Sequence, residues 1–219
     1  MPAQPDQLIS VIDALLDPAP VLPVLTVADP AHAVPLAETL VAAGLPVLEV
    51  TLRTPAALDA ISAMRTVSGA RVGAGTILTA DDLARARDAG AEFAISPGCT
   101  RTLYEAAASI DIPFLPAVAT ASEIIAGLER GYRRFKFFPA EAAGGITALK
   151  SFAGPFGDVK FCPTGGIGPS NAADYLRLAN VLTVGGSWMV PTDAVQSGDW
   201  DRIAALATDA VNLLDRQSE

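Results

Sequence analysis

Histidine, cysteine and lysine are all scarce: the 219 residues contain one histidine, two cysteines and three lysines. A metal site is disfavoured, because His32 stands alone in a helical stretch and Cys99 and Cys162 lack the spacing of a ligand pair. No metal or other cofactor is expected. Basic residues are also in deficit, 15 against 24 acidic ones, for a net charge of -9. A chain without a basic excess is poorly suited to a polyanion, which argues against nucleic acid as a partner. No apolar run approaches the roughly 20 residues that cross a bilayer. The most tempting stretch, Pro18 to Ala28, is interrupted by Pro20 and Pro23. The opening MPAQPDQLISVIDALLD has no basic segment before its apolar stretch and carries Asp13 inside it, unlike a secretory signal. The expectation is a cytoplasmic protein with no membrane partner, its two thiols free rather than joined.

Apolar residues, by contrast, are plentiful, at 51% of the chain with only 18% charged and a mean hydropathy of +0.38. That supports a large core, and the length fits one domain over residues 1–219. After an amphipathic stretch from Gln7 to Leu16, eight short apolar runs alternate with alanine-rich segments of helical period. The runs are VLPVLTV, VLEVTL, RVGAGTI, EFAISP, PFLPAVA, RFKFFPA, VKFCPTG and VLTVGG, and several intervening helices open with a Thr or Asp cap and close on glycine. Such alternation implies parallel strands joined by right-handed crossovers. Eight evenly spaced units, with no glycine-rich turn after the first, favour an α/β fold of the (β/α)8 TIM-barrel type over a doubly wound sheet, here with an extra N-terminal helix.

In a barrel of this kind chemistry gathers at the C-terminal ends of the strands. Period-two alternation puts Lys136 and Phe138 on one face of the sixth run and Phe135 and Phe137 on the other, so Lys136 is expected to point inward. A buried ammonium is costly, and a neutral amine in its place can attack a carbonyl; a structural ion pair is the competing role. In the second run Glu49, Thr51 and Arg53 share a face. Runs two and six lie across the lumen, so Glu49 and Lys136 are expected to converge with substrate or water between them, nucleophile and proton shuttle respectively. Thr76 offers a hydroxyl at the end of the third run, or the cap of a short turn.

The last two runs end in CPTGGIGPSN and VGGSWMVP. Two glycine pairs on adjacent strands, with helix starts expected to follow and Ser187 placed to cap one, suggest a phosphate site built from backbone N–H groups.

Together the stretches LEVTLRT, VGAGT, AISPG, RFKFFPAE, FCPTGGI and VGGSWMVP resemble the 2-keto-3-deoxy-6-phosphogluconate aldolase family, in family order and over nearly the whole chain. That family also includes enzymes acting on 4-hydroxy-2-oxoglutarate. The resemblance implies a metal-independent class I aldolase, assembled as a homotrimer, that cleaves a phosphorylated keto acid to pyruvate and glyceraldehyde 3-phosphate. It puts the Schiff base on Lys136 and the acid/base role on Glu49. It also makes Arg53 and Thr76 carboxylate binders, Pro97 and Phe138 walls of the pocket, and Thr164, Gly165, Gly166, Gly186 and Ser187 substrate-binding positions, with the glycines and Ser187 at the phosphate. The chain departs from the family pattern at Cys99, where an aliphatic residue is expected, and at PAVAT in place of PGIST. Thr26 also stands where a branch specific for the galactonate epimer carries arginine.

Two other functions remain compatible with the residues alone. One is a phosphosugar isomerase of the same fold, with Glu49 as base and Lys136 as electrostatic clamp. The other is a catalytically silent barrel that binds a phosphorylated ligand.

Overall fold

The computed structural model describes residues 5–16, 20–110 and 112–213. Among the described residues nine short strands are all paired in parallel: β1 (Val21–Leu25), β2 (Val47–Thr51), β3 (Arg71–Gly75), β4 (Ala94–Ile95), β5 (Phe114–Leu115), β6 (Ala117–Val118), β7 (Arg134–Phe137), β8 (Lys160–Pro163) and β9 (Val184–Gly186). They form a curled α/β sheet in two sections, ordered β5-β4-β3-β2-β1-β9 and β6-β7-β8. The eight expected runs become nine strands because the fifth, PFLPAVA, divides at Pro116. Proline has no N–H to give a ladder. Its carbonyl is still used, accepting from Lys136 N at 3.0 Å, while Leu115 O accepts from Ser96 N at 3.3 Å on the other side. The β8 segment meets β9 through the parallel bridges Phe161–Val181 and Thr164–Gly185.

The helices are α1 (Pro5–Leu16), α2 (Ala33–Ala42), α3 (Ala57–Met64), α4 (Ala80–Asp88), α5 (Arg101–Ser109), α6 (Ala121–Leu128), α7 (Gly145–Ala153), α8 (Ala172–Leu176), α9 (Thr192–Ser197) and α10 (Trp200–Val211). Several starts follow the expected cap chemistry, whereas α2, α3, α7, α8 and α9 begin without a side-chain cap bond. Thr79 and Thr120 each close a capping box, with Asp82 and Glu123, and Thr100 accepts from Leu103 N. Asp29 caps the single 3-10 turn Pro30–His32 that leads into α2. No helix among the described residues is long and apolar enough to cross a membrane.

Two apolar shells position the site. Outward-facing residues such as Leu25, Leu48, Val50, Phe135, Phe137 and Phe161 pack against the helices. Inside, Leu22, Val47, Phe93, Ile95, Leu115 and Cys162 form a floor, and α1 lays Ile12, Leu15 and Leu16 over it. Each such side chain contributes about 1.5–3 kcal/mol by leaving water. Asp13 fixes α1 laterally, taking Arg134 Nη2 at 2.7 Å on β7. Above the floor the interior turns polar: Glu49, Thr51, Ser96, Lys136 and Thr164 are all buried, Glu49 at the middle of β2 and the others in the C-terminal parts or just past the ends of their strands.

Candidate active site

Lys136 and Glu49 meet directly. Lys136 Nζ donates to Glu49 Oε1 at 2.9 Å and to Oε2 at 3.3 Å, with the two residues 5% and 1% exposed. The expected gap for substrate or water between them is therefore not present; the pair closes on itself across the interior. In a low-dielectric interior an unpartnered charge is far costlier than a hydrogen-bonded pair, which accounts for the closure. The Phe138 ring lies beside it, its centroid 5.6 Å from Nζ. Alternation on β7 holds, since Phe135 and Phe137 join the outer core.

Glu49 reaches Lys136 because β3 presents glycine opposite it. A Cβ on Gly75 would stand 2.3 Å from Glu49 Oε1 and 2.7 Å from its Cγ. Beneath the lysine, register pairing places Cys162 beside Lys136. Burial pushes the Cys162 thiol up to about 12, so the floor under the amine stays uncharged.

Arg53, Ser187 and Thr26 line a cleft of about 540 Å³ together with His32 and Gln196 from the helical layer; Lys136 and Glu49 are not part of its lining. Arg53 is exposed, and its Nε donates to Thr51 Oγ1 at 3.0 Å; Thr51 in turn donates to Leu25 O at 2.8 Å. The guanidinium is thus anchored to β1 through a hydroxyl. Thr76 stands at φ 61°, a left-handed conformation costly for a β-branched residue and worth noting at the edge of a site. It does not cap a helix, because Thr79 does. Pro97 and Phe138 are half-buried at the ends of β4 and β7.

Thr164 Oγ1 and Ser96 Oγ are buried with no hydrogen-bond partner among the described residues. The Thr164 hydroxyl occupies the space a Gly185 side chain would take, 2.2 Å from its Cβ position. Next to it Gly165 and Gly166 adopt φ 103° and 77°, conformations that L side chains resist. The amides of Gly166 and Ser187 donate to no acceptor among the described residues, whereas Gly165 takes part in the parallel bridge between Thr164 and Gly185. Two expectations are corrected here. No helix starts directly after either glycine pair: α8 and α9 begin later and are only five and six residues long, so the free donors are loop amides. Nor does Ser187 cap a helix. Its carbonyl accepts from Val190 N in a turn, and Trp188 folds over Gly186, whose Cβ position lies 1.9 Å from the indole.

The chain that carries this buried lysine–glutamate pair, with an anchored guanidinium and loop amides nearby, matches a known family model over most of its length. The model of the family described as KDPG and KHG aldolase matches residues 12–206. The chain belongs to the KDPG and KHG aldolase family. The KHG/KDPG aldolase of Escherichia coli K12 is 54% identical over 200 residues, covering 91% of this chain and 94% of the relative. A crystal structure of the 2-keto-3-deoxy-6-phosphogluconate aldolase of Zymomonas mobilis, holding 3-phosphoglycerate, has a TM-score of 0.87 at 52% identity, covering 92% of this chain and 95% of that one. The KDPG aldolase of Legionella pneumophila, solved with pyruvate captured as a covalent carbinolamine, has a TM-score of 0.89 at 46% identity over 95% and 98% of the two chains.

Family membership makes this chain a metal-independent lyase of the Schiff-base class. Against the KDPG and KHG aldolase pattern, sequence reasoning missed the residues that brace the site. Gly75 was visible only as part of VGAGT, Thr51 only as a companion of Arg53, and Asn171 not at all. Asn171 Oδ1 accepts from Gly168 N at 2.9 Å, and its Nδ2 donates to Gly166 O at 3.1 Å, which holds the loop open. The motif CPTGGIGPSN contained that asparagine, and an Asx side chain next to a glycine loop is a turn signal.

Proposed function

We propose that the chain cleaves 2-dehydro-3-deoxy-6-phosphogluconate to pyruvate and D-glyceraldehyde 3-phosphate, and also 4-hydroxy-2-oxoglutarate to pyruvate and glyoxylate. The observation that carries this is the 2.9 Å contact between the buried Lys136 Nζ and Glu49. Passage of one proton along that bond leaves a neutral amine, which attacks the C2 carbonyl to give a carbinolamine. Glu49 returns its proton to the leaving hydroxyl, and loss of water yields the protonated imine, an electron sink, with Glu49 again a carboxylate. Glu49 removes the C4 hydroxyl proton, directly or through water, and the C3–C4 electrons move into the enamine as the aldehyde departs. Protonation at C3 and hydrolysis of the imine release pyruvate and restore Lys136.

In this reading Arg53 and Thr76 bind the carboxylate, Pro97 and Phe138 wall the pyruvyl group, and Thr164 supplies its unpartnered hydroxyl to substrate. Gly165, Gly166, Gly186 and Ser187 take the phosphate, supported by the free amides of Gly166 and Ser187. We further propose that the two sheet sections act as one closed (β/α)8 barrel, on the strength of the Pro116 junction and the β8–β9 bridges. A homotrimer follows from the resemblance and is checked by light scattering on the eluting protein. The free thiols Cys99 and Cys162 suit a reducing, cytoplasmic setting. The isomerase and silent-barrel readings gain no support from the family match.

Borohydride trapping with pyruvate tests the mechanism. A reduced pyruvyl adduct mapping to Lys136, and absent from Lys136→Arg and Lys136→Ala, is expected, since a guanidinium stays protonated. An adduct on Lys150 or Lys160 instead would remove Lys136 from its role.

A further inference from the structure

Glu141 poses an electrostatic problem. It follows FFPA directly and packs its stem against the loop assigned above to phosphate: a Gly166 Cβ would lie 2.6 Å from Glu141 Cγ. Backbone bonds tie the same two segments, Ala140 N to Thr164 O at 2.8 Å and Glu141 N to Gly165 O at 3.1 Å. A carboxylate on so short a stem, beside amides meant for an anion, opposes the ligand by like-charge repulsion.

Two features hold that charge elsewhere. Tyr175, a fully buried side chain on α8, donates its phenolic hydrogen to Glu141 Oε1. The accepting oxygen lies over the first turn of α7, 3.2 Å from the Cβ position of Gly145, where the positive end of a nine-residue helix favours a negative charge. Burial raises the Tyr175 hydroxyl well above its ordinary value, with the bond to Glu141 acting in the same direction, so the phenol remains a donor throughout the working pH range.

We infer that Tyr175 is a positioning residue that cages the Glu141 carboxylate away from the glycine loop and thereby sets the preference for phosphorylated over unphosphorylated aldols. The inference rests on the assignment of Gly165 and Gly166 to phosphate. It differs from a purely mechanical brace, in which losing the Tyr175–Glu141 bond merely loosens the loop. In the caging role the harm done by losing the phenol comes from the freed charge, so it disappears when that charge is also removed.

The experiment measures kcat and KM for 2-dehydro-3-deoxy-6-phosphogluconate and for 4-hydroxy-2-oxoglutarate in Tyr175→Phe, Glu141→Gln and the double variant. Tyr175→Phe is expected to raise KM for the phosphorylated substrate by about fivefold or more, the effect of one unit charge brought to a few ångströms from another in water. Its kcat, its KM for 4-hydroxy-2-oxoglutarate and its borohydride trapping of pyruvate stay at parental levels. Adding Glu141→Gln restores the phosphorylated KM, and Glu141→Gln alone leaves that KM at or below the parental value. A double variant as impaired as Tyr175→Phe, or equal losses on both substrates, would overturn the caging role. If Tyr175→Phe does not fold, a raised phosphorylated KM in Glu141→Gln alone overturns it. Gly166→Val separates the two layers of argument. If it impairs both substrates alike, the phosphate assignment itself fails; if it impairs only the phosphorylated one while Tyr175→Phe is silent, only the cage fails.

Discussion

Replacing Gly75 with alanine should disable the enzyme without touching any group that reacts. The new methyl would arrive 2.3 Å from Glu49 Oε1, 2.7 Å from Cγ and 2.8 Å from Cδ, short of van der Waals contact by about 1 Å. Both partners sit in buried strands paired in register from Val47–Arg71 to Thr51–Gly75, so the backbones cannot part cheaply and the Glu49 side chain must move. Moved by about 1 Å, the carboxylate leaves hydrogen-bond range of Lys136 Nζ, now at 2.9 Å. A displacement of that size in a catalytic constellation costs on the order of 10²-fold in rate. Overpacking adds about 1–3 kcal/mol of destabilisation. Steady-state cleavage, pyruvate trapping and a denaturant melt on the same sample separate these effects. The variant is expected to melt as one cooperative transition, with turnover reduced about 10²-fold. Shortening the acid in Gly75→Ala/Glu49→Asp removes one methylene from the clash and should recover part of the loss. Parental turnover in Gly75→Ala would show that the close approach of β3 has no bearing on catalysis.

Glu49→Gln keeps the shape of the contact but cannot accept a proton, and kcat should fall by about 10²- to 10⁴-fold while imine capture suffers less; cleavage at the parental rate would reduce Glu49 to a charge partner. The Cys162 thiol gives a pH signature. Its value of about 12 in the fold against 9.0 ordinarily means that the folded chain keeps a proton the unfolded chain releases. The stability it contributes is therefore complete below pH 9 and lost as pH rises toward 12. Within that window Cys162→Ala should lessen the fall of unfolding free energy by up to about 1.4 kcal/mol per pH unit, read from urea melts at matched pH. An unchanged slope would mean that the thiol does not carry the alkaline loss.

Lys136 and Glu49 were legible because strand alternation is a local property: period two assigns each to a face before any partner is known. Their direct contact was not, since it depends on what β3 leaves out at Gly75, and absence of a side chain has no partner in a one-dimensional pattern. Pro116 stood in plain view inside PFLPAVA, yet its effect on pairing was hidden by the continuity of the apolar run around it. Ser187 resembled a helix cap by residue type, but the neighbouring Trp188 folds over Gly186 and turns the chain before any helix begins. Tyr175 and Glu141 are 34 residues apart, and nothing local links a tyrosine in a short helix to a glutamate after a strand.

The helix α1 closes one end of the interior. Ile12, Leu15 and Leu16 cover the floor, so substrate is expected to enter and both products to leave at the C-terminal ends of the strands. With Lys136 carrying the imine as proposed, the fragment bonded to it lies the deeper of the two. The aldehyde, held near the mouth, departs first, and pyruvate follows only after water reaches the imine through the space the aldehyde vacated. Release is thereby ordered by depth: pyruvate competes with the aldol for the empty enzyme, and the aldehyde inhibits noncompetitively. Competitive inhibition by both products would mean that the floor leaks.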